Sequence, residues 1–558
     1  MGNHSFFCFL NKIHINKEVE YSYLSEMFSS NIIYLEYFKL LFKGGHFLNL
    51  VHTLSQSVLK HPENTAIVFE GQSYSYSTLN TYVSRFASGL SKLGIEKGDK
   101  IALVVGNSPH FIIGLFGALK VGAAVIPVNP LYSPDELIYI LTNGDAKAVI
   151  TLDLFLPLVE KASPILPKIE HFIICETKQD NPYEFTDNKL KSFTNVIGLG
   201  DESFQGPELH DDDLAVILYT SGTTGKPKGA MLTHKNLYSN AIDAGHFLGF
   251  TSSEKVIATL PAFHVFCLTV ALNAPLMYGA TVILVPKFSP NEIFNIIRSQ
   301  KATVFAGVPT MYNFLYQYPE GKTEDFDSIR LCISGGSSLP VALLENFEKK
   351  FNVMISEGYG LSEASPVTTF NPLDRPRKAG SIGTNISNVV NRIVNELGED
   401  VKVGEVGELI VQGPNVMKGY YNMPEETAMT IKDGWLYTGD LARQDEDGYF
   451  FIVDRKKEMI IVGGFNVYPR EVEEILYNHP DVVECAIIGL PDDNFGESVK
   501  AYVVSKNPAL TEEILIEYCK AHLAKYKVPR SIEFIAELPK NATGKILRRA
   551  LKESIVQS

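Results

Sequence analysis

Six cysteines, at positions 8, 175, 267, 332, 485 and 519, are spread over 558 residues without a Cys-x-x-Cys pair. That spacing excludes a disulfide-framed fold and a cysteine-rich zinc site, and fits reduced thiols in a cytoplasm. Long apolar runs are missing too; the stretch 111–118 is far too short to cross a bilayer as a helix. There is no block of lysine and arginine, and 50 basic against 64 acidic residues leave a net charge of −14. A nucleic-acid partner is therefore not expected. A basic start, a long apolar core and a cleavage site do not occur together near the N-terminus, so no signal peptide is expected. Short-period repeats, low-complexity tracts and a recognisable Ser–His–Asp set are likewise absent.

What is present is ordinary globular composition, 45% hydrophobic and 20% charged. At 558 residues the chain is too long for one core, so two or more domains are expected. From residue 48 onward, helices and strands alternate. Residues 50–60, 77–93, 111–121 and 134–142 read as helices, 65–76 as two short strands about Glu70-Gly71, and 101–105, 124–128 and 148–151 as strands. The alternation resumes with helix 235–248, strand 256–259, helix 265–273 and strand 281–284. This predicts an α/β fold of doubly wound parallel sheets. After Gly404, short strands and glycine turns at 407–411 and 448–453 mark a small β-rich lobe. Beyond Asp454-Arg455-Lys456-Lys457, strands at 459–462, 482–490 and 501–504 and helices at 469–478 and 512–524 read as a separate α+β domain. The division expected is an extension over 1–47, a large domain over 48–456 and a small domain over 457–558.

The most informative stretch is 219–234, YTSGTTGKPKGAMLTH, directly after the apolar run Leu214-Ala215-Val216-Ile217-Leu218. That run reads as a buried strand. Gly222, Gly225 and Gly229 let the backbone turn successive N–H groups inward, which makes an anion-binding concavity. Thr220, Ser221, Thr223 and Thr224 add hydroxyl donors, and Lys226 and Lys228 add charge suited to a polyphosphate. Any four of these residues would pass as a solvated loop. Sixteen such positions behind a strand do not. The Walker pattern does not fit, because Pro227 stands in place of its second glycine.

With further motifs in the same order, this stretch resembles the signature of the adenylate-forming enzymes, and the resemblance runs from about residue 48 to 549. That superfamily holds acyl-CoA synthetases, firefly-type luciferases and peptide-synthetase adenylation domains. Within it, the chain looks most like a bacterial long- or medium-chain fatty acid–CoA ligase. The resemblance implies ATP, Mg2+ and coenzyme A, and places Thr220, Ser221, Gly222, Thr223, Thr224, Gly225 and Lys228 on the nucleotide. In Glu357-Gly358-Tyr359-Gly360-Leu361-Ser362-Glu363 it implies that Tyr359 stacks on adenine and that Glu363 holds Mg2+, with Thr220 as a further oxygen ligand. Glu357, Gly358, Gly360 and Ser362 border the nucleotide, Ser362 keeping the hydroxyl of the more common threonine. Gly335 and Gly336, in Ser334-Gly335-Gly336-Ser337-Ser338-Leu339, match an adenine loop, although these residues alone read equally well as a turn before a helix.

Asp440, in Tyr437-Thr438-Gly439-Asp440, has the chemistry to accept from both ribose hydroxyls, and Arg455 to donate to the same sugar. An Asp after Gly is otherwise a turn residue, but Asp433-Gly434-Trp435-Leu436, with the only tryptophan, tightens the match. His264, in Pro261-Ala262-Phe263-His264-Val265-Phe266, is read as lining or gating an acyl pocket with Val265, Gly307 and Val308; a lone histidine among aromatics is more often packing than catalyst. Lys545, closing Pro539-Lys540-Asn541-Ala542-Thr543-Gly544-Lys545, would ordinarily be a surface charge. The resemblance instead sends it to the α-phosphate and the attacking carboxylate. It also makes the small domain mobile about Lys457, swinging Gly463, Gly464 and Phe465 to a coenzyme A tunnel. Ile461 stands where some relatives carry lysine.

The activity implied is ATP-dependent conversion of a fatty acid to acyl-CoA through an acyl-adenylate, in the cytoplasm. The partners are those small molecules, with a transient contact at a membrane surface. A ligase for aryl or other carboxylic acids is one alternative, and a fatty acyl-AMP ligase serving a carrier protein is another, though Gly463 to Phe465 fit a coenzyme A user. An inactive nucleotide-binding scaffold is disfavoured, because Glu363, Asp440, Arg455 and Lys545 are all present. Residues 1–47 differ in texture from the rest, being rich in Phe, Tyr, Asn and Ser. Lys43-Gly44-Gly45, which AAA-GGA-GGA would encode as a ribosome-binding site, stands two residues before Leu48, which TTG would encode as a start. The expectation is that 1–47 is not part of the native protein; the competing reading is a helix at 31–42 docked on the large domain.

Overall fold

The computed structural model describes residues 49–177, 184–220, 227–541 and 544–556. The expected extension over 1–47, its helix at 31–42, and the phosphate-loop residues Ser221, Gly222, Thr223, Thr224 and Gly225 lie outside the described residues. Two large sheets organise the chain as far as residue 420. One has eight strands, in the order Gly419–Tyr420, Lys228–Thr233, Leu214–Thr220, Ala124–Pro127, Lys100–Val104, Ala148–Leu152, His171–Cys175 and Leu190–Ser192. The other has nine, in the order Thr384–Asn385, Val367–Phe370, Ile355–Gly360, Leu331–Ser334, Val304–Gly307, Lys255–Ala258, Thr281–Leu284, Thr65–Phe69 and Gln72–Ser75. Their central strands are parallel, as the alternating pattern predicts. Three of the four edges are antiparallel, and short returns such as 220–228 and 360–367 join neighbours that only an antiparallel pairing accommodates; the fourth edge, Leu190–Ser192, pairs parallel with His171–Cys175.

The helices follow from their apolar faces. Helix Pro109–Lys120 is apolar on nearly every side, which an enclosed helix requires, and Phe111, Ile112, Leu115, Phe116 and Leu119 are all buried. Helix Tyr76–Lys92 starts where the Ser75 hydroxyl accepts the Thr78 N–H, and buries the stripe Leu79, Val83, Phe86 and Leu90. The helix expected at 265–273 is wound differently: Cys267–Asn273 is a π-helix running into the α-turn Ala274–Met277. Pro275 has no N–H for the carbonyl of Ala271 and its ring crowds that carbonyl; the wider turn relieves both.

One side chain ties the two sheets together. Asn107, just past strand Lys100–Val104, donates to the carbonyls of Ala258 (3.1 Å), Leu260 (2.8 Å) and Val285 (3.1 Å), and accepts the Ala262 N–H (2.7 Å). It thereby fixes the strand ends of the nine-stranded sheet and the start of the loop that carries His264.

The β-rich lobe is a five-stranded sheet of Val390–Val394, Gly407–Gln412, Ile431–Lys432, Trp435–Gln444 and Phe450–Arg455, packed around Ile393, Leu409, Ala442 and Phe450. The C-terminal domain carries a further five-stranded sheet, with long strands Val482–Asp492 and Gly496–Ser505, and helices Pro469–Tyr477 and Glu512–His522 closing over Val472, Leu476, Ile487, Val503 and Leu515. Cys175, Cys267, Cys332, Cys485 and Cys519 are free and buried. No helix among the described residues is long and apolar enough to cross a membrane.

Helix His234–Phe247 encloses a carboxyl that pairs with no cation among the described residues. Asp243 is buried and, among those residues, takes only the Asn388 amide, at 2.9 and 3.1 Å, so burial pushes it up to about 7. Ionising it in the folded state opposes folding. Its contribution is thus most favourable below the ordinary carboxylate range and is lost as pH rises through about 7. Relative to Asp243→Asn, the wild-type protein is expected to lose up to about 3 kcal/mol between about pH 5 and pH 8. Denaturant midpoints across that range check this, and parallel pH profiles for the two proteins would contradict it.

Candidate active site

Two paired strands flank the glycine-rich stretch of the sequence. Leu214–Thr220 and Lys228–Thr233 pair antiparallel, with Thr220 opposite Lys228. At the mouth, the Thr220 hydroxyl meets the Lys228 carbonyl at 3.4 Å. The Lys228 ammonium lies 5.3 Å from the centre of the Tyr420 ring, and the Tyr420 hydroxyl donates to Glu363 Oε1 at 2.8 Å. Glu363 sits in the turn Ser362–Ala364. Thr220, Lys228 and Glu363, distant in sequence, thus share one corner.

Next to it, strand Ile355–Gly360 delivers Tyr359, whose hydroxyl donates to Asp440 Oδ2 at 2.5 Å. Burial, reinforced by the Asp440 charge, holds that phenol well above its ordinary range, so it stays a donor. Asp440 lies opposite Arg455 across two strands of the β-rich lobe, with Arg455 Nε 3.3 Å from Asp440 Oδ1. Glu357 lines the same cavity while being buried: its Oε1 accepts the Leu339 N–H at 3.0 Å, and its Oε2 has no hydrogen bond among the described residues. Burial raises its carboxyl to about 7. It props the Ser334 to Leu339 loop from behind. In that loop Gly336 has φ +80°, and a side chain on Gly335 would meet the Phe266 ring and the Gly358 carbonyl at 3.4 Å.

The third component comes from the C-terminal domain. Thr310, at the start of helix Pro309–Gln317, donates to the Gly544 carbonyl at 3.2 Å, and this seats Lys545 in a cavity of about 840 Å³. Gly336, Tyr359, Gly360, Asp440, Arg455 and Lys545 all line it. Such a volume suits a nucleotide-sized ligand. Burial first, then the Arg455 cation, depresses the Lys545 ammonium to about 8, against the pull of Asp440 and Glu458. Burial, with the Lys545 charge behind it, lowers His264 to about 4, and its Nδ1 accepts the Phe266 N–H at 3.3 Å. The imidazole is therefore neutral at pH 7 and keeps its proton on Nε2. Val308 lies between Gly336 and Gly544, within 3.4 Å of where a side chain on either would begin. Val265 is buried beside His264, and Gly307 lies against the rings of Phe305 and Tyr312.

Behind Lys545, Arg548 pairs with Glu458 (2.6 Å) and Glu473 (2.7 Å), and Lys540 with Glu484 (2.7 Å). Glu474 accepts the Val341 N–H at 3.4 Å, at a helix start that has no side-chain cap of its own. Gly463, Gly464 and Phe465 are not part of this cavity. They form a separate hairpin on which Phe465, 59% exposed, stacks on Tyr526 with ring centres 4.8 Å apart. Lys457 lies in the turn that leads from strand Phe450–Arg455 to that hairpin. Sequence reasoning missed Tyr420, Arg548 and Asn107. Tyr420 had a signal, the Gly419-Tyr420-Tyr421 step; Arg548 had the basic pair Arg548-Arg549 behind Lys545; Asn107 had none.

The model of AMP-binding enzymes matches residues 54–421, and that of the AMP-binding enzyme C-terminal domain matches 471–545. The chain belongs to the AMP-binding enzyme family. Among relatives in this family, the long-chain-fatty-acid–CoA ligase of Bacillus subtilis is 41% identical over 90% of this chain and 93% of its own. A feruloyl-CoA synthase of Amycolatopsis is 35% identical over 87% of this chain and 95% of its own. The ATP-bound structure of MatB from Rhodopseudomonas palustris superposes with a TM-score of 0.85 at 33% identity, covering 91% of this chain and 99% of MatB. The apo structure of the same protein, also 33% identical, gives 0.75 over 92% and 99%.

Two glycines of this AMP-binding enzyme that line the cavity are also required by packing. A side chain on Gly358 would start 2.1 Å from the Phe370 ring, and one on Gly360 2.2 Å from the Pro366 carbonyl oxygen. Gly360→Ala is expected to destabilise the protein by about 1–3 kcal/mol, the usual cost of overpacking. An unchanged denaturant midpoint would contradict this.

Proposed function

We propose that this AMP-binding enzyme joins a fatty acid of medium to long chain to coenzyme A in two steps at the Lys545 cavity. In the first, the fatty acid carboxylate oxygen attacks the α-phosphorus of ATP, the α–β phosphoanhydride bond breaks, and pyrophosphate leaves. In the second, the coenzyme A thiol, giving up its proton, attacks the acyl carbonyl, and AMP leaves. The observation that carries this reading is one lysine within electrostatic reach both of the residues suited to a ribose and of one suited to an acyl group. Asp440 and Arg455 line the cavity with Lys545 and act on its ammonium, and the Lys545 charge in turn lowers His264.

Asp440 accepts from the ribose hydroxyls, with Tyr359 holding its Oδ2 and presenting a ring face to adenine. Lys545 stabilises the charge that grows on the α-phosphate and the attacking carboxylate. His264, neutral, borders the acyl group without moving a proton. The hairpin loop through Thr220 and Lys228 takes the outer phosphates. Glu363 and Thr220 offer hard oxygen donors at that mouth, and no group of three or more His, Cys, Asp or Glu capable of holding a metal occurs among the described residues. That set fits Mg2+ held by one carboxylate, substrate phosphates and water. When bound, the ion neutralises phosphate charge. The closer likeness to ATP-bound than to apo MatB supports reading this arrangement as the adenylation pose. The second step would follow rotation of the C-terminal domain, residues 457–558, about Lys457, bringing Gly463 to Phe465 to the cavity.

The relative named for long-chain fatty acids supports an alkyl substrate, and Val265 and Val308 offer it apolar contact. Lys545→Ala is expected to slow ATP–pyrophosphate exchange by about 10²–10³, while thioester formation from supplied acyl-adenylate continues at the wild-type rate. Equal losses in both half-reactions would overturn the assignment. In the same exchange assay, preference for benzoate or acetate over a long-chain acid would overturn the substrate class.

A further inference from the structure

Glu363 is held twice by one short strap. The Met417 N–H donates to its carbonyl at 2.8 Å, and the Tyr420 hydroxyl to its carboxylate at 2.8 Å. The strap is in turn sewn onto the phosphate hairpin: Lys418 N–H bonds the Met231 carbonyl at 2.9 Å, Tyr421 N–H the Gly229 carbonyl at 2.8 Å, and Tyr420 pairs with Ala230. The Tyr420 N–H is anchored on the Thr427 hydroxyl at 2.8 Å, and its ring lies under the Lys228 ammonium. With 8% exposure it has little freedom to turn. A carboxylate has two oxygens and about four lone-pair positions. Here Oε1 is committed to the phenol, and among the described residues Oε2 accepts no hydrogen bond.

We propose that Tyr420 is a positioning residue for the divalent cation. Its O–H occupies Oε1 of Glu363, fixes the carboxylate rotamer, and leaves Oε2 as the open acceptor for the ion bound with ATP. Tyr420 touches neither the ion nor the nucleotide; it acts through Glu363. Its backbone pairing makes the carboxylate's place depend on strand Lys228–Thr233. The proposal rests on the reading of Glu363 as the cation ligand.

The test is Tyr420→Phe, which keeps the ring over which Lys228 lies and removes only the hydroxyl. Mn2+ binding, followed by electron paramagnetic resonance with a non-hydrolysable ATP analogue, is expected to weaken by about 10–100-fold, the usual effect of losing a partner that orients a metal ligand. The Mg2+ concentration for half-maximal ATP–pyrophosphate exchange is expected to rise by the same factor, with the rate recovered at saturating Mg2+. Replacing Tyr420 by p-aminophenylalanine keeps a donor at the same reach and is expected to hold the Mn2+ affinity within about twofold of wild type. Unchanged Mn2+ affinity in Tyr420→Phe, whether or not its melting temperature falls, would overturn the proposal. So would a loss of tenfold or more in the p-aminophenylalanine protein, which also serves if Tyr420→Phe does not fold. Glu363→Gln separates the two readings. If it leaves Mn2+ affinity intact, Glu363 is not the ligand; if it weakens binding while Tyr420→Phe does not, only the role of Tyr420 fails.

Discussion

A lysine ammonium buried in a cleft is costly to keep charged, and the surrounding charges act on that cost. Burial and the Arg455 cation push Lys545 down to about 8, and Asp440 and Glu458 oppose them. Arg548, the nearest rival cation from the same segment, is tied up by Glu458 and Glu473 at 2.6 and 2.7 Å. Carboxylates from the β-rich lobe and from the turn at Lys457 thus favour the cationic form of the residue that would stabilise the transition state. Its place depends equally on backbone contacts. Thr310 holds Gly544, and Val308 fills the space beneath.

Those contacts all cross between the large domain and the C-terminal domain, and they are individually modest. Thr310 to Gly544, Asn313 to Val483 at 3.5 Å, and Glu474 to Val341 at 3.4 Å are single hydrogen bonds, none long-lived alone. Glu474 caps a helix of the large domain that lacks a cap of its own, so its bond exists only while the domains are docked. Arg470 of the C-terminal domain adds hydrogen bonds to the carbonyls of Ile452 (2.7 Å) and Gly380 (3.3 Å), so the docked pose rests on a set of separate hydrogen bonds that an opening would have to break together. The exposed Phe465 and Ile461, 59% and 47% accessible on their hairpin, are the surface such an opening would bring into use.

Most of the architecture could be read from residue pattern because its rules are local. The apolar run at 214–218 becomes strand Leu214–Thr220, and Thr65–Phe69 and Gln72–Ser75 turn at Glu70-Gly71 as the spacing predicts. The hidden parts are those set by long-range contact. Asn107 reaches residues more than 150 positions away, and nothing near it marks it out. Tyr420 gains its meaning from Glu363, 57 positions earlier. Gly358 and Gly360, in a motif read for the nucleotide, are also required by the close approach of Phe370 and Pro366. Glu357, from the same motif, is a buried prop with its Oε1 on Leu339. The π-winding of Cys267–Asn273 reflects Pro275 downstream, where helical periodicity alone gives an ordinary α-helix.

If this docking of the two domains serves adenylation alone, it must be undone for thioester formation. Cysteines placed at Asn313 and Val483, which touch across the domain interface, can be joined by a reducible bridge to hold it. The bridged protein is predicted to retain ATP–pyrophosphate exchange and to make no acyl-CoA until the bridge is reduced. Acyl-CoA formation by the bridged protein at the reduced protein's rate would contradict a division of labour between two domain poses.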